Sequence, residues 1–395
     1  MLIVDKRRSA LNISVSILSK ILLLIASLLI RRLLIRYLGN DVNGLNSLYT
    51  NIIGMLSVAE LGIGSAIAYS MYKPIVENEE RSVSALYNLY KKLYLIIGAV
   101  IFGLGIVLLP FLPWFINDYE SVTVNVYWTF FLTLVSVVLS YLYSAKASLI
   151  EAHKNNYITT IILTIARLVK SILQIAVILI WKSYMVFIIC MIVETLIIWL
   201  LTESVVRRNY GIIIRSNERV DKATHNQVSR NVKAMMMHKV GTVMVKTVDG
   251  IIISAFIGVV ILGKYSNYVL IATTMSGIIS LIFSPLTSIV GHLCARGTRE
   301  EDKRWFEHFY SLNYILGVVF FLGYFAVIEY LVGMLFGPGL GMSRSIVFII
   351  TLNQFTQYMR NTLLLFRNAS GTFYYDRWKP VAEGVVNLRT CLHKM

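Results

Sequence analysis

The sequence predicts an all-α polytopic membrane bundle: two parallel-repeat six-helix halves around a central cavity, with the second half incomplete. Three observations point there. Of 395 residues, 57% are hydrophobic and only 15% charged, where a soluble domain carries about 25% charged residues. Apolar runs of membrane-crossing length recur along the chain, and Lys and Arg gather in every second connection between them. This composition excludes a secreted disulfide scaffold, a disordered chain and an ordinary cytosolic enzyme. Cys190, Cys294 and Cys391 share no short spacing, so they form neither a disulfide framework nor a metal site.

A helix needs roughly 20 mostly apolar residues to cross about 30 Å of hydrocarbon. Ten segments qualify: 14–36, 44–71, 88–112, 122–143, 158–180, 184–202, 240–256, 265–290, 309–335 and 345–366. Their length and continuity favour helices over barrel strands, which would be about ten residues of alternating character. Lys6, Arg7 and Arg8 precede the first run as they would in a signal peptide. That run is too long, however, and lacks an Ala-x-Ala-like cleavage site before Arg31 and Arg32. It reads as a retained first span.

The connections orient the chain. With the N-terminus in the cytoplasm, the inner segments are 1–13, 72–92, 144–157, 203–239, 292–304 and 367–382. These hold 24 Lys plus Arg, against Lys182 and Lys264 outside. This is a strong positive-inside pattern for a multi-pass protein of the cytoplasmic membrane. It accounts for much of the +16 net charge without a nucleic-acid partner. Trp114, Trp181 and the Gly337–Gly341 turn fall on the outer side.

The polar stretch from Val205 to about Met235 separates two groups of spans. Sliding the sequence by 219 positions aligns them without gaps. Lys20 falls on Lys239, Gly39 on Gly258, Gly44 on Gly263, Ser47 on Ser266 and Tyr49 on Tyr268. Further on, Ser57 meets Ser276, Ser65 meets Ser284, Gly98 meets Gly317 and Phe102 meets Phe321. No single match carries weight between apolar stretches; matched spans, loops and glycines in one register carry more. Six spans return the chain to its starting side, so the halves run parallel, as in transporters with a central cavity. The expected organisation is an N-terminal bundle over 1–204, a cytoplasmic linker over 205–239 and a C-terminal bundle of about four spans over 240–395. A counterpart of the fifth span should begin near Arg377, but the chain ends in the polar Arg389–Met395. The second half therefore reads as about two helices short, and truncation is favoured over a naturally smaller half.

Ionisable residues in mid-span cost an estimated 2.5 kcal/mol or more, so they face the bundle interior or a water-filled cavity. The cations are Lys20, Arg31, Arg32, Arg36, Arg167, Lys170, Lys246 and Arg360; the anions are Glu60, Glu194, Asp249 and Glu329. A proton pump or cation-drug exporter would line its path mainly with carboxylates. The eight-to-four surplus of cations fits an anionic passenger, whose phosphate or carboxylate oxygens match guanidinium groups. Arg31, Arg32 and Arg36 lie near the outer end of their span, where snorkelling to headgroups is an equal alternative. Lys20 lies three helical turns before Arg31, on nearly the same face. Arg167 and Lys170 form one basic patch in mid-span, where snorkelling is difficult. Lys246 and Asp249, three apart, read first as a mutually neutralising pair. Glu60 has small neighbours in Ala59–Ala66, which favours close packing and pairing with a cation of span 1.

Enzyme chemistry finds little support. No Gly-x-x-x-x-Gly-Lys-Ser/Thr loop is present, nor a Gly-x-Ser-x-Gly elbow. The six histidines have no ligand spacing, so no catalytic residue, metal or cofactor is expected. A membrane-embedded glycosyltransferase or polysaccharide polymerase would keep a sizeable polar outer loop or an acidic inner one, and the outer loops here are short.

Residues 36–49 read Arg-Tyr-Leu-Gly-Asn-Asp-Val-Asn-Gly-Leu-Asn-Ser-Leu-Tyr, and 59–74 read Ala-Glu-Leu-Gly-Ile-Gly-Ser-Ala-Ile-Ala-Tyr-Ser-Met-Tyr-Lys-Pro. With Leu86–Tyr94 and Ala369–Pro380, this resembles the Wzx-type oligosaccharide flippases of polysaccharide export, within the MATE-like (MOP) exporter superfamily. The resemblance implies two helical bundles set as a V around a cavity. It implies a passenger built of a sugar repeat unit on polyprenyl pyrophosphate, and contact with membrane lipids and other polysaccharide assembly proteins. The pyrophosphate agrees with the cationic surplus. Lys20, Arg31, Arg167, Lys170, Lys246 and Arg360 are then the candidates for substrate binding, and Glu60, Glu194 and Asp249 for ion coupling. A cation-coupled small-molecule exporter of the same fold is the alternative.

Overall fold

A computed structural model describes residues 2–57, 63–222, 228, 243, 247–283, 290 and 299–370. Among these residues the chain is helical, with no strand. The helices are α1 (Leu2–Leu38), α2 (Asn40–Leu56), α3 (Ile63–Val76), α4 (Glu80–Leu108), α5 (Val126–Ala152), α6 (Asn156–Ile180), α7 (Tyr184–Asn209) and the short α8 (Gly211–Arg215). After them come α9 (Thr247–Phe256), α10 (Val259–Phe283), α11 (Arg299–Phe336) and α12 (Arg344–Ser370). Among the described residues, five helical stretches are long and apolar enough to cross a membrane: Glu80–Phe115, Val126–Ala152, Asn156–Ile180, Tyr184–Asn209 and Glu300–Phe336. Only 28% of the most apolar stretch within Glu80–Phe115 is buried. Such a surface needs lipid as its solvent, and the protein is a multi-pass membrane protein.

The helices differ from the reading of apolar runs in two ways. The span expected over 44–71 is divided: α2 ends at Leu56 and α3 begins at Ile63. The spans expected to end at 143 and 202 continue as helix to Ala152 and Asn209. Polar residues in those last turns still complete i→i−4 hydrogen bonds, so hydropathy ends before the helix does.

The described residues form two compact units that divide between Val260 and Ile261. In the first, α5 packs on α7, α4 and α3, while α1 packs along α6 and α2. Large buried side chains carry polar tips that find partners, as lipid-embedded packing demands. The Tyr49 hydroxyl donates to the Val126 carbonyl at 2.8 Å and lies 2.8 Å from Thr129 Oγ1. Tyr90 of α4 donates to Ser70 of α3 at 3.3 Å, and Gln174 of α6 to the Phe187 carbonyl of α7 at 3.2 Å. In the second unit, α11 packs on α12 around Phe321, Tyr358 and Leu365. There Tyr324 donates to the Tyr268 carbonyl at 2.9 Å.

The offset of 219 reappears in the helix starts. Asn40, the first residue of α2, maps onto Val259, the first of α10. Val126 of α5 maps one residue past Arg344, where α12 begins. The glycines just before α2 and α10 both adopt positive φ, +100° at Gly39 and +128° at Gly258. The matched tyrosines do related work: Tyr49 reaches the first turn of α5, and the Tyr268 hydroxyl accepts from the Met342 amide, just ahead of α12, at 3.1 Å.

Candidate functional site

Helices α6 and α7 run antiparallel, linked by residues 181–183. Ile162 and Ala166 of α6 meet Ile198 of α7 in a buried seam. Ala166 is fully buried, so the residues next to it in the helical register flank the α7 contact. Arg167 and Lys170, about one turn apart, thereby come opposite Glu194. Glu194 Oε1 lies 3.6 Å from Arg167 Nε, and Oε2 lies 2.7 Å from Lys170 Nζ. The side chains are 13%, 48% and 21% exposed for Glu194, Arg167 and Lys170 respectively, so the carboxylate sits at the back and the guanidinium at the front.

This triad joins two residues expected to bind substrate with one expected to couple an ion. Its formal charge is +1, because one carboxylate serves two cations. The Glu194 contact runs to Nε of Arg167 at 3.6 Å, and the Arg167 side chain is 48% exposed, so its guanidinium stays accessible to a ligand. A fork of parallel N–H donors of this kind suits phosphate or carboxylate oxygens.

The other candidates are dispersed. Lys20 is exposed and Arg31 partly buried on α1, the helix that packs along α6. Asp249 is partly buried in α9, and Arg360 partly buried in α12 of the second unit. Glu60 and Lys246 lie outside the described residues, as therefore does the expected Lys246–Asp249 pairing. Among the described residues, no three His, Cys, Asp or Glu side chains converge on a position fit for a metal ion.

One charged cluster escaped the sequence reading. Lys146 of α5 is ion-paired with Glu203 of α7, and Arg207, one turn further along α7, shares that carboxylate. Lys146 and Glu203 are only 13% and 17% exposed. Both fall in segments, 144–157 and 203–239, that hydropathy alone reads as inner loops. Extending the two helices by the i→i+4 spacing of Glu203 and Arg207 was the available signal.

Comparison with known proteins follows the architecture. The chain resembles an inward-facing multidrug resistance MATE family transporter of the MOP superfamily, with TM-score 0.61, 10% identity, and coverage of 95% of this chain and 86% of that one. A MATE transporter in the bent conformation aligns with TM-score 0.51 and 9% identity, covering 95% of this chain and 80% of that one. At these identities the likeness is one of fold. A comparison with curated proteins finds no match. The sequence model for polysaccharide biosynthesis proteins matches residues 9–288, and the chain belongs to that family, with a transporter-type fold.

Proposed function

We propose that this protein is a flippase that moves polyprenyl-pyrophosphate-linked oligosaccharide repeat units across the cytoplasmic membrane, with its N-terminus in the cytoplasm. The observation that carries the reading is the Arg167–Glu194–Lys170 triad, an incompletely neutralised basic cluster set in two apolar helices. Charges there cost several kcal/mol when unpaired, so Glu194 is the resting partner of both cations. An incoming pyrophosphate brings more negative charge than one carboxylate and displaces Glu194 from Arg167 first, the longer and more exposed contact. Glu194 is then released to change its own partner or proton, which joins substrate arrival to ion coupling. Lys20, Arg31, Lys246 and Arg360 are further contributors to substrate binding in this proposal, and Glu60 and Asp249 to coupling. The halves 1–204 and 240–395, joined by 205–239, are the moving bodies; the shared offset of their helix starts supports that division.

Replacing Arg167 and Lys170 together by Gln tests the triad. The expected result is a fall in surface polysaccharide of at least tenfold at normal protein level, with lipid-linked repeat units accumulating on the inner leaflet. Unchanged export overturns the role of the triad. Deleting the gene tests the wider reading: normal surface polysaccharide in a strain with no second flippase overturns it. Drug sensitivity without a polysaccharide defect selects the small-molecule exporter instead.

A further inference from the structure

A cavity of about 790 Å³ opens where the end of α3, the start of α4 and the residues after α8 meet. Ligand pockets for small molecules run from about 300 to 1,000 Å³, so this one admits a short oligosaccharide. Its wall is built, not incidental. Ser84 Oγ of α4 donates to the Ile213 carbonyl at 2.7 Å, and Ser84 is 1% exposed. One turn on, Asn88 Nδ2 donates to the carbonyls of Ser216 and Glu218 at 2.9 and 3.1 Å. These bonds clasp the segment after α8 onto α4 and present Glu218 and Arg219 to the cavity.

The lining has a balance unlike that of the whole chain. Three cations, Lys73, Arg81 and Arg219, face four carboxylates, including Glu79 and Glu218, in a protein of net charge +16. Such a lining repels a concentrated anion as much as it attracts one. A hydroxyl, which both donates and accepts, finds partners of either kind at every turn of the wall. Tyr72 adds an aromatic ring, 47% exposed, whose flat apolar face and polar tip suit the alternating C–H and O–H faces of a sugar ring. Arg81 and Arg219 have no ion pair among the described residues, which leaves their donors for a ligand. No residue of the triad lines the pocket: Arg167 lies eleven residues into α6, about 16 Å along the axis from the end where Asn155 bonds Tyr210, just before α8.

We infer that this pocket binds the hydroxyl-rich glycan of the substrate, separately from the anion-binding triad. The inference rests on the flippase reading above and places the sugar at the end of the bundle where the inner connections lie. Substrate recognition is thereby divided, with the glycan held at the α3–α4 turn and the pyrophosphate in mid-helix.

The test uses the full chain in lipid nanodiscs and two probes in calorimetry. One probe is the oligosaccharide released by mild acid from the producing strain's own lipid-linked intermediates; the other is inorganic pyrophosphate. Tyr72→Ala and Arg219→Gln, both at exposed positions, should each weaken oligosaccharide binding about tenfold and leave pyrophosphate binding unchanged. Arg167→Gln with Lys170→Gln should do the reverse. Failure of the wild type to bind the oligosaccharide, or equal binding by both pocket variants, overturns the glycan site. So does a loss of pyrophosphate binding in the pocket variants, which would make the cavity an anion site. Either result leaves the flippase reading standing wherever the gene deletion still traps lipid-linked units.

Discussion

The junctions α1–Gly39–α2 and α9–Gly258–α10 have one backbone plan and two ways of finishing it. Both glycines adopt positive φ, where a side chain is strained. The first junction closes with the Gly39 amide bonded to the Ile35 carbonyl at 3.2 Å; the second wraps one residue further, the Gly258 amide reaching the Ile253 carbonyl at 2.9 Å. Their carboxylates differ more. Asp41, in the first turn of α2, accepts from Thr123 Oγ1 at 3.1 Å and leaves the N-terminus of α2 without a side-chain cap. Asp118, from the connection between α4 and α5, caps α10 directly, accepting from the Val259 amide at 2.7 Å. Asn117 adds a bond from its amide to the Ser254 carbonyl at 3.1 Å, and Asn40 donates to the Val260 carbonyl at 2.7 Å. A repeated turn thus opens onto a helix without a side-chain cap in one copy and onto one capped by a carboxylate far away in sequence in the other.

The largest effect should come from the glycines. A Cβ at Gly258 would lie 2.9 Å from the Asp118 carboxyl carbon, whereas at Gly39 it meets the end of the Asp41 side chain. Both Asp118 oxygens are engaged in capping bonds, whereas the Asp41 oxygen met at Gly39 is Oδ1, not the Oδ2 that Thr123 holds. Gly258→Ala should therefore cost about 2–3 kcal/mol and Gly39→Ala about 1 kcal/mol, read as unequal shifts in thermal unfolding. Equal shifts would break the comparison. Next in size, Asp118→Asn removes a charge from the start of α10 and should cost up to about 2 kcal/mol, against 0.5 kcal/mol or so for Asp41→Asn. Melting temperatures of the two single variants check that order. The smallest difference lies in the paired tyrosines. Tyr268→Phe orphans the Met342 amide, at about 1 kcal/mol. Tyr49→Phe should cost less, because Thr129 Oγ1 already donates to the Val126 carbonyl at 3.2 Å.

These junctions also mark how far the fold was legible in advance. The glycine and tyrosine matches at an offset of 219 are visible as letters, because backbone conformation and a long side chain's reach are local properties. Asp118 is not visible in that way: it acts 141 positions from Val259, and only packing brings the two together. The triad divides along the same line. Arg167 and Lys170 announce themselves as a basic pair one helical turn apart, but Glu194 joins them across a helix–helix seam. Glu203 was hidden for another reason, since hydropathy falls off before the last turns of α7 do.

Lys146 gives the positive-inside pattern a second meaning. It counts toward the positive-inside pattern expected from the sequence, yet it is ion-paired with Glu203 and only 13% exposed. A designer redistributing surface charge to invert the topology would gain nothing by removing it. The variant would insert the same way round and then leave Glu203 with Arg207 alone, so a topology reporter and a stability assay would disagree at this one lysine.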